Sequence, residues 1–166
     1  MDLDGDNLKQ YNELNKNEDQ ASVAEQNRHK LEEAIKESNE VLIKCSTSLT
    51  AFPDTLTVDR AKLTIVKRNF LSSAELVSMR VEDILNVTAT VGPFFGVVDI
   101  SSRVVNANQL SVGKFSRDDA LKIKRVAQGY AIALQREIDC NSLSSRELVS
   151  RLYELGEDDH DEEGLI

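Results

Sequence analysis

The sequence predicts an α+β fold in which a succession of short antiparallel strands ends in one amphipathic helix. Two observations carry this prediction. Between Phe52 and Phe115, apolar and polar residues alternate with period two in short runs, a pattern typical of half-buried strands. The next segment, Arg117–Glu137, carries apolar residues at helical spacing. Because few small folds close a meander of strands with a single helix, this order is informative about architecture.

The composition is compatible with one domain flanked by tails. The chain has 166 residues, of which 40% are hydrophobic, so it can form a modest core. Its charge is uneven: residues 1–40 carry 5 Lys/Arg against 11 Asp/Glu, residues 41–137 carry 13 against 9, and residues 138–166 carry 2 against 9. A mildly basic body therefore lies between two acidic ends. Nucleic acid is not expected as a partner, since phosphate binding needs a dense basic surface, whereas other anionic partners remain open for the body.

Cellular location and redox state follow from what the sequence lacks. The acidic N-terminus has no apolar signal segment, and no run approaches 18 apolar residues. These features predict a soluble, cytoplasmic protein. Cys45 and Cys140 belong to no Cys-x-x-Cys pair, so two reduced thiols are expected rather than a disulfide.

Residues 1–40 are predicted to form a polar arm that is partly helical or disordered. Residues 22–38 suit a helix, with Ser22 as a cap and Glu25 three positions later. Its apolar stripe is thin and consists of Val23, Leu31, Ala34, Ile35 and Leu42. Such a helix is expected to pack weakly on the body or to pair with another chain.

The strands are predicted from alternation and from turn residues between them. They span Thr55–Asp59, Lys62–Lys67, Glu75–Val81, Ile84–Val91 and Phe94–Ser101, with a last strand near Leu110 and Val112. In the fourth of these, the alternation places Leu85 and Val87 on the inward face. The turn Gly92-Pro93 follows, and Phe94 is expected to face inward after it.

Two helices are predicted at the C-terminal end of the body. Ser116 is a natural N-cap, and Asp119 stands three positions later. Gly129 within this helix is expected to allow close approach to a strand. A second helix is expected to begin after Ser144 and to end at Gly156.

Four segments of the body are distinctive as a set. They are Phe52–Thr55, Arg80–Val87, Val91–Gly96 and Asp119–Tyr130. Together they resemble a group of uncharacterised bacterial proteins with a pleckstrin-homology-like domain, over about residues 50–156. The resemblance implies a partly open antiparallel β-barrel, or two near-orthogonal sheets, capped by a C-terminal helix. It also implies a binding module rather than an enzyme. Asp59-Arg60-Ala61, the first turn, lacks the Lys/Arg cluster of phosphoinositide-binding members, so inositide recognition is not expected.

No catalytic, cofactor or metal motif is present in the sequence. The glycine-rich nucleotide loops, the nucleophile elbow and the zinc-protease motif are all absent. His29 and His160 lie in the arm and in the tail, away from the body. The pair Glu82-Asp83 is expected to be structural, with Glu82 meeting Arg80 or Arg103 and Asp83 accepting backbone N–H groups. No enzyme activity, cofactor or metal is therefore expected.

Residues 157–166 form an acidic tail that is predicted to be disordered. It lacks the ligand spacing of a calcium loop. It could screen the basic body intramolecularly, in which case its removal would strengthen binding to anionic surfaces.

Three candidate binding features remain. A basic and apolar loop contains Lys67, Arg68, Phe70 and Leu71, which could dip into a lipid interface, dock in a partner, or fold back over the barrel end. The polar face of the first C-terminal helix carries Arg117, Lys122, Lys124 and Arg125, with Lys122 and Arg125 as the candidate contacts. An edge strand could also bind an extended peptide by strand addition.

Together with the strand and helix pattern, this resemblance leads us to expect a pleckstrin-homology-like domain over residues 41–156. Its expected function is that of a non-catalytic cytoplasmic adaptor, which binds another protein or itself through the barrel edge, the exposed loop and the N-terminal helix. The alternative is peripheral attachment to an anionic membrane through Lys67, Arg68, Phe70 and Leu71. An enzyme with an unfamiliar site is disfavoured.

Overall fold

The computed structural model describes residues 22–36, 38–48, 50–69, 73–103 and 110–157. The chain divides into two units between Ser38 and Asn39. In its described residues, the first unit contains helix α1 (residues 22–36), all of which is exposed. Val23, Leu31 and Ile35 in α1 are each more than half exposed. The helix predicted for this segment is confirmed over residues 22–36, and these three residues of its apolar stripe face solvent, whereas Leu42 of the same stripe lies in a strand.

The second unit contains the strands and the remaining helices of the described chain. The strands are β1 (Val41–Ser46), β2 (Thr55–Asp59), β3 (Lys62–Arg68), β4 (Ala74–Arg80), β5 (Ile84–Val91), β6 (Phe95–Ser102) and β7 (Leu110–Ser116). A 3₁₀ turn, Val81–Asp83, separates β4 from β5, and the helices are α2 (Arg117–Gln135) and α3 (Ser145–Leu155).

The strands form two antiparallel sheets, which are ordered β1-β2-β3-β4 and β5-β6-β7. Within the described ranges the two sheets do not close into one barrel. The predicted α+β class, with antiparallel strands followed by a C-terminal helix, is confirmed. The predicted turn at Asp59-Arg60-Ala61 is confirmed as well, because the Asp59 carboxylate accepts the N–H groups of Ala61 (2.9 Å) and Lys62 (2.7 Å).

Strand β1 escaped the sequence prediction, which counted Leu42 with the N-terminal helix. It pairs with β2, placing Ile43 opposite Val58 and Cys45 opposite Leu56. Ile43 and Cys45 are buried, whereas Lys44 between them is exposed. The period-two signal was therefore present, but only over a few residues directly after a helical segment.

Helix α2 packs its apolar stripe against the β5-β6-β7 sheet. Ala120, Ile123, Ala127 and Tyr130 of this stripe are buried, which agrees with the amphipathic helix expected here, whereas Ile138 at the same spacing lies beyond the helix end and is 47% exposed. The Ser116 hydroxyl accepts the N–H of Asp119 (3.1 Å), which confirms the predicted N-cap. The helix ends at Gln135, two residues earlier than predicted.

Two inward assignments in the second sheet are wrong. Leu85 is 48% exposed, because a register shift between Ile84 and Asn86 inserts a bulge, so that Ile84 and Val87 are the residues that face the core. Phe94 is 77% exposed, because it lies in the turn before β6 rather than in the strand.

The predicted close approach at Gly129 involves a helix and not a strand. A Cβ atom on Gly129 would overlap the carbonyl oxygen of Leu152 in α3, and one on Gly156 would overlap the carbonyl oxygen of Arg125 in α2. The φ of Gly156 is −92°, so its role is to give space and not a left-handed conformation. The two glycines therefore let the C-terminal end of α3 lie directly on α2.

Candidate functional site

Strand β4 is the exposed edge of the four-stranded sheet. It pairs with β3 from Arg68↔Ala74 to Lys62↔Arg80, and no second strand of the described chain pairs with it. None of its seven residues is buried. In an antiparallel strand, every second residue directs its N–H and C=O away from the neighbouring strand. One side of β4 therefore presents a row of backbone donors and acceptors to solvent.

The inner face of this edge is incompletely covered. Val77 and Met79 point to the same side as their cross-strand partners Ile65 and Leu63. Ile65 and Leu63 are fully inaccessible to solvent, whereas Val77 and Met79 remain half-buried. On the outer face, Leu76 is 67% exposed. A further strand beside β4 would cover apolar surface on both faces of the sheet.

Strand β5, one edge strand of the second sheet, is covered, in contrast to β4. The backbone N–H of Val87 in β5 donates to Gln128 Oε1 of α2 at 2.9 Å. Helix α2 packs along the same strand. An added strand cannot pair at Val87 without displacing Gln128, so β5 is protected in the way that natural sheets commonly protect their edges.

The other two edge strands are also contacted by neighbouring elements. In β7, the carbonyl oxygen of Lys114 accepts the N–H of Ser48, from the β1–β2 loop, at 2.7 Å. Strand β1 lies against α3. Among these edges, β4 is thus the one that no helix or loop of the described residues covers.

The sequence of β4 carries few of the features that protect an edge. Ala-Glu-Leu-Val-Ser-Met-Arg contains no proline and no lysine, and its charges are confined to Glu75 and Arg80. Arg80 is directed towards the 3₁₀ turn, where it contacts the carboxylates of Asp83 (2.9 Å) and Glu82 (3.4 Å). The hydrogen bond to Asp83 raises the pKa of the Arg80 guanidinium. The predicted contact of Glu82 with Arg80 is confirmed. Asp83 is structural as well, but among the described residues its carboxylate binds Arg80 and not the backbone N–H groups predicted for it.

A cleft of about 630 Å³ opens at the end of β4. It is lined by Arg60, Ala61, Lys62, Arg80, Glu82, Asp83, Arg103, Leu134 and Gln135. Charges of both signs meet here, and the lining contains no cysteine, serine or histidine that could act as a nucleophile or base. Within the described residues, no three His, Cys, Asp or Glu side chains are grouped closely enough to hold a metal ion.

Arg60 lines this cleft, but the contacts of its side chain stabilise the fold. Its side chain is 8% exposed and contacts Glu40 at 2.6 Å. It also donates to the carbonyl oxygens of Cys140 (2.9 Å) and Leu143 (2.8 Å) in the connection between α2 and α3. The guanidinium therefore fixes that connection against β2 and is not available to a ligand.

The residues predicted as binding contacts are found in different environments. Lys67 and Arg68 end β3, and Arg68 is exposed while its backbone N–H donates to Asp54 Oδ1 at 2.8 Å. Phe70 and Leu71 lie outside the described residues. On α2, Lys122 is exposed, as expected for a contact residue.

The prediction of a solvated polar face on α2 is wrong for Arg125 and Lys124. Arg125 is buried, forms an ion pair with Glu157 at 2.8 Å and lies over the ring of Tyr153. Lys124 is buried as well, and its ammonium group donates to the carbonyl oxygen of Gly156 at 3.4 Å. Because α3 folds over this side of α2, both basic side chains hold α3 in place rather than face a partner.

The sequence reasoning missed the exposed aromatic tip of the β5–β6 hairpin. Phe94 is 77% exposed and Phe95 40%, and the turn is closed by a hydrogen bond from Gly92 N–H to Phe95 O (2.7 Å). Two consecutive residues of a strand face opposite sides of the sheet. Two adjacent aromatic residues after a Gly-Pro turn were therefore a usable signal that at least one faces solvent.

Neither thiol has the environment of a catalytic cysteine. Cys45 and Cys140 are both free and buried, as the sequence predicted. Burial, with a smaller contribution from Asp119, raises the pKa of Cys45 to about 11, and burial raises the pKa of Cys140. A reactive cysteine needs a lowered pKa and access, so these thiols are packing residues.

The comparisons with known proteins identify no relative of the chain. No protein-family model matches it, and neither does a curated protein or a solved structure. None of the helices described here is long and apolar enough to cross a membrane.

Proposed function

We propose that this chain is a non-catalytic binding module that takes an extended segment of a protein by strand addition at β4. The uncovered β4 edge is the observation that carries this proposal. The proposal keeps the cytoplasmic setting and the pleckstrin-homology-like assignment that the sequence predicts. A four-stranded and a three-stranded antiparallel sheet followed by a helix are compatible with that assignment.

Backbone hydrogen bonds would supply the sequence-independent part of the affinity. Each contributes a net of about 0.5–1.5 kcal/mol, so several are needed to hold a short segment. The side chains of the bound segment would alternate between the two faces of the sheet. Those on the inner face would cover Val77 and Met79, and those on the outer face would lie beside Leu76. The favoured ligand is thus an extended segment with apolar residues at alternate positions.

Selection from a random peptide display library, followed by amide hydrogen exchange on the complex, tests this function. The proposal expects selected peptides to have alternating apolar residues and to slow exchange in β4. Leu76→Lys should weaken binding, since it removes the apolar contact on the outer face of the edge. Thr88→Lys, at an exposed position of β5, is the matched control and should bind as wild type does. Protection of another strand, or equal loss in both variants, would refute the proposal.

A second candidate function is peripheral binding to an anionic membrane through one end of the domain. The exposure of Phe94 favours it, because an aromatic side chain at a hairpin tip can enter a lipid interface. Basic residues of β3 and β7 are held at the same end of the domain by the β1–β2 loop. Its Asp54 accepts the Arg68 N–H, and its Ser48 donates to Lys114 O, close to the start of β6.

Co-sedimentation with vesicles of phosphatidylserine and phosphatidylcholine tests this second function. Binding should fall with rising salt, since surface charges are screened, and it should be lost in a variant that combines Lys67→Glu with Phe94→Ser. The matched control combines Lys62→Glu with Leu76→Ser, which changes the same kinds of residue elsewhere. No pelleting at low salt would end the membrane alternative and leave the protein-binding function standing.

A further inference from the structure

We propose that the partner at the β4 edge is a second copy of this chain, so that two β4 strands pair antiparallel across a two-fold axis. The two four-stranded sheets would then form one continuous sheet of eight strands. This inference rests on the proposed function and names its partner.

The side chains of β4 alternate in the same way as those expected of a strand that binds to the β4 edge. An added strand should carry apolar residues at alternate inward positions, and β4 carries Val77 and Met79 there. It should also cover Leu76 on the outer face. A two-fold interface needs one surface that is complementary to itself, and an antiparallel edge meets this condition in its backbone, because each strand offers the other the same donors and acceptors.

The alternation of side chains restricts the possible registers. Opposite residues of an antiparallel pair must point to the same face, so only registers that place a residue on the two-fold axis keep both inner faces together. With Ser78 on the axis, Val77 lies opposite Met79 of the second copy. The two half-buried residues of each copy then cover those of the other and extend the apolar layer formed by Leu63 and Ile65.

The charged residues of β4 favour the same register. With Ser78 on the axis, Leu76 lies opposite Arg80 of the second copy, whose aliphatic stem can cover it while the guanidinium keeps its contacts with Asp83 and Glu82. Glu75 then falls beyond the end of the opposite strand. With Val77 on the axis, Glu75 would instead lie opposite Met79 on the inner face, where desolvation of the carboxylate opposes pairing.

The dimer is expected to be weak and to depend on concentration and salt. A contact between two strand edges is smaller than a standard interface of about 1,600 Å². Each copy also carries a net charge of −9, so the copies repel one another at low salt. Screening should therefore strengthen association, which is opposite to the effect of salt on membrane binding.

Disulfide cross-linking of the full chain tests the register directly. Ser78→Cys would place two thiols opposite each other, at a Cα separation of about 4.5–5.5 Å, which lies within the range of a disulfide. Thr64→Cys is the matched control, because Thr64 is opposite Ser78 on β3 and its two copies would be three strand spacings, about 14 Å, apart. Cys45 and Cys140 are buried and contribute little background.

We expect Ser78→Cys to form a covalent dimer under mild oxidation at least tenfold faster than Thr64→Cys. Equal rates for the two variants would overturn the inference. As a second measurement, Ser78→Lys and Ser78→Glu should each be monomeric by light scattering, since like charges meet on the axis, and their mixture should recover the dimer. A wild-type dimer that is unchanged in both single variants would also overturn it.

Failure of this inference can be told apart from failure of the proposed function. A chain that stays monomeric and does not cross-link at Ser78→Cys, but whose β4 amides are protected by selected peptides, retains the function and loses the second copy as partner. A chain that shows neither cross-linking nor peptide protection of β4 loses both.

Discussion

Gln128 accepts a hydrogen bond from the backbone N–H of Val87 at 2.9 Å and so occupies the edge of the second sheet. The same relationship is missing at β4, where no described helix or loop supplies an acceptor. Within one domain, a side chain thus occupies the β5 edge, whereas the β4 edge has no such contact from the described residues. Under the proposed function, this difference favours β4 over β5 as the edge that a partner strand would join.

Gln128→Leu should destabilise the protein by about 1–3 kcal/mol, because it leaves the buried N–H of Val87 without an acceptor. Gln128→Glu keeps an acceptor at this position and should recover most of the loss at neutral pH. Gln135→Leu, at the exposed end of α2, is the control and should be near neutral. Urea unfolding measures all three, and equal stability of Gln128→Leu and Gln135→Leu would contradict the assigned bond.

Gly129→Ala should destabilise the protein although alanine is the better helix former. The change favours a helix by about 1 kcal/mol, but the new Cβ would overlap Leu152 O and push α3 away. Overpacking of this kind typically costs about 1–3 kcal/mol, and the net effect should be a lower melting temperature. Gly92→Ala is the control, because its Cβ would find ordinary contact at 3.5 Å from Phe95 O. An increase in stability for Gly129→Ala would show that α3 is not held against α2 as described.

Arg60→Met should cost about 2–4 kcal/mol, since it removes charged hydrogen bonds to two carbonyl groups and the ion pair with Glu40. Arg60→Lys should recover little, because an ammonium group cannot reproduce the planar fork that reaches both carbonyls. Arg146→Met, at an exposed position of α3, should be neutral. A lysine variant as stable as wild type in urea unfolding would argue against this anchoring role.

Stability should fall as the pH rises from about 9 to 11. In the folded chain the pKa of Cys45 is raised to about 11 from an ordinary value of 9.0, so the folded state holds this proton more tightly than the unfolded state does. The contribution is complete below pH 9 and is lost as the pH approaches 11. Cys45→Ala should show a shallower decline over this interval. An unchanged slope in unfolding experiments at a series of pH values would contradict the burial of this thiol.

Local features of the fold were predictable because they depend on neighbours in sequence. The N-cap at Ser116 and the end of α3 at Gly156 were both found from single residues. Strand β1 was missed because its alternation is short. The bulge at Leu85 has no sequence signal of its own, and it places Leu85 outward and Ile84 inward, opposite to the simple alternation.

The candidate site was less predictable, because it depends on contacts between distant segments. From sequence alone, a polar helix face is predicted to be exposed to solvent, yet the packing of α3 buries Lys124 and Arg125. The openness of β4 likewise follows from strand order and from which strands the helices cover. Sequence reasoning could propose strand addition in general, but only the position of Gln128 beside Val87 distinguishes one edge from the other.

Residue-resolved amide hydrogen exchange on the dilute chain tests the open edge most directly. Exchange rates report local protection of individual N–H groups. The account predicts that alternate residues of β4, those that face away from β3, exchange rapidly, while Val87 is protected by Gln128. Uniform protection along β4, or exchange at Val87 as fast as at the β4 edge, would contradict it.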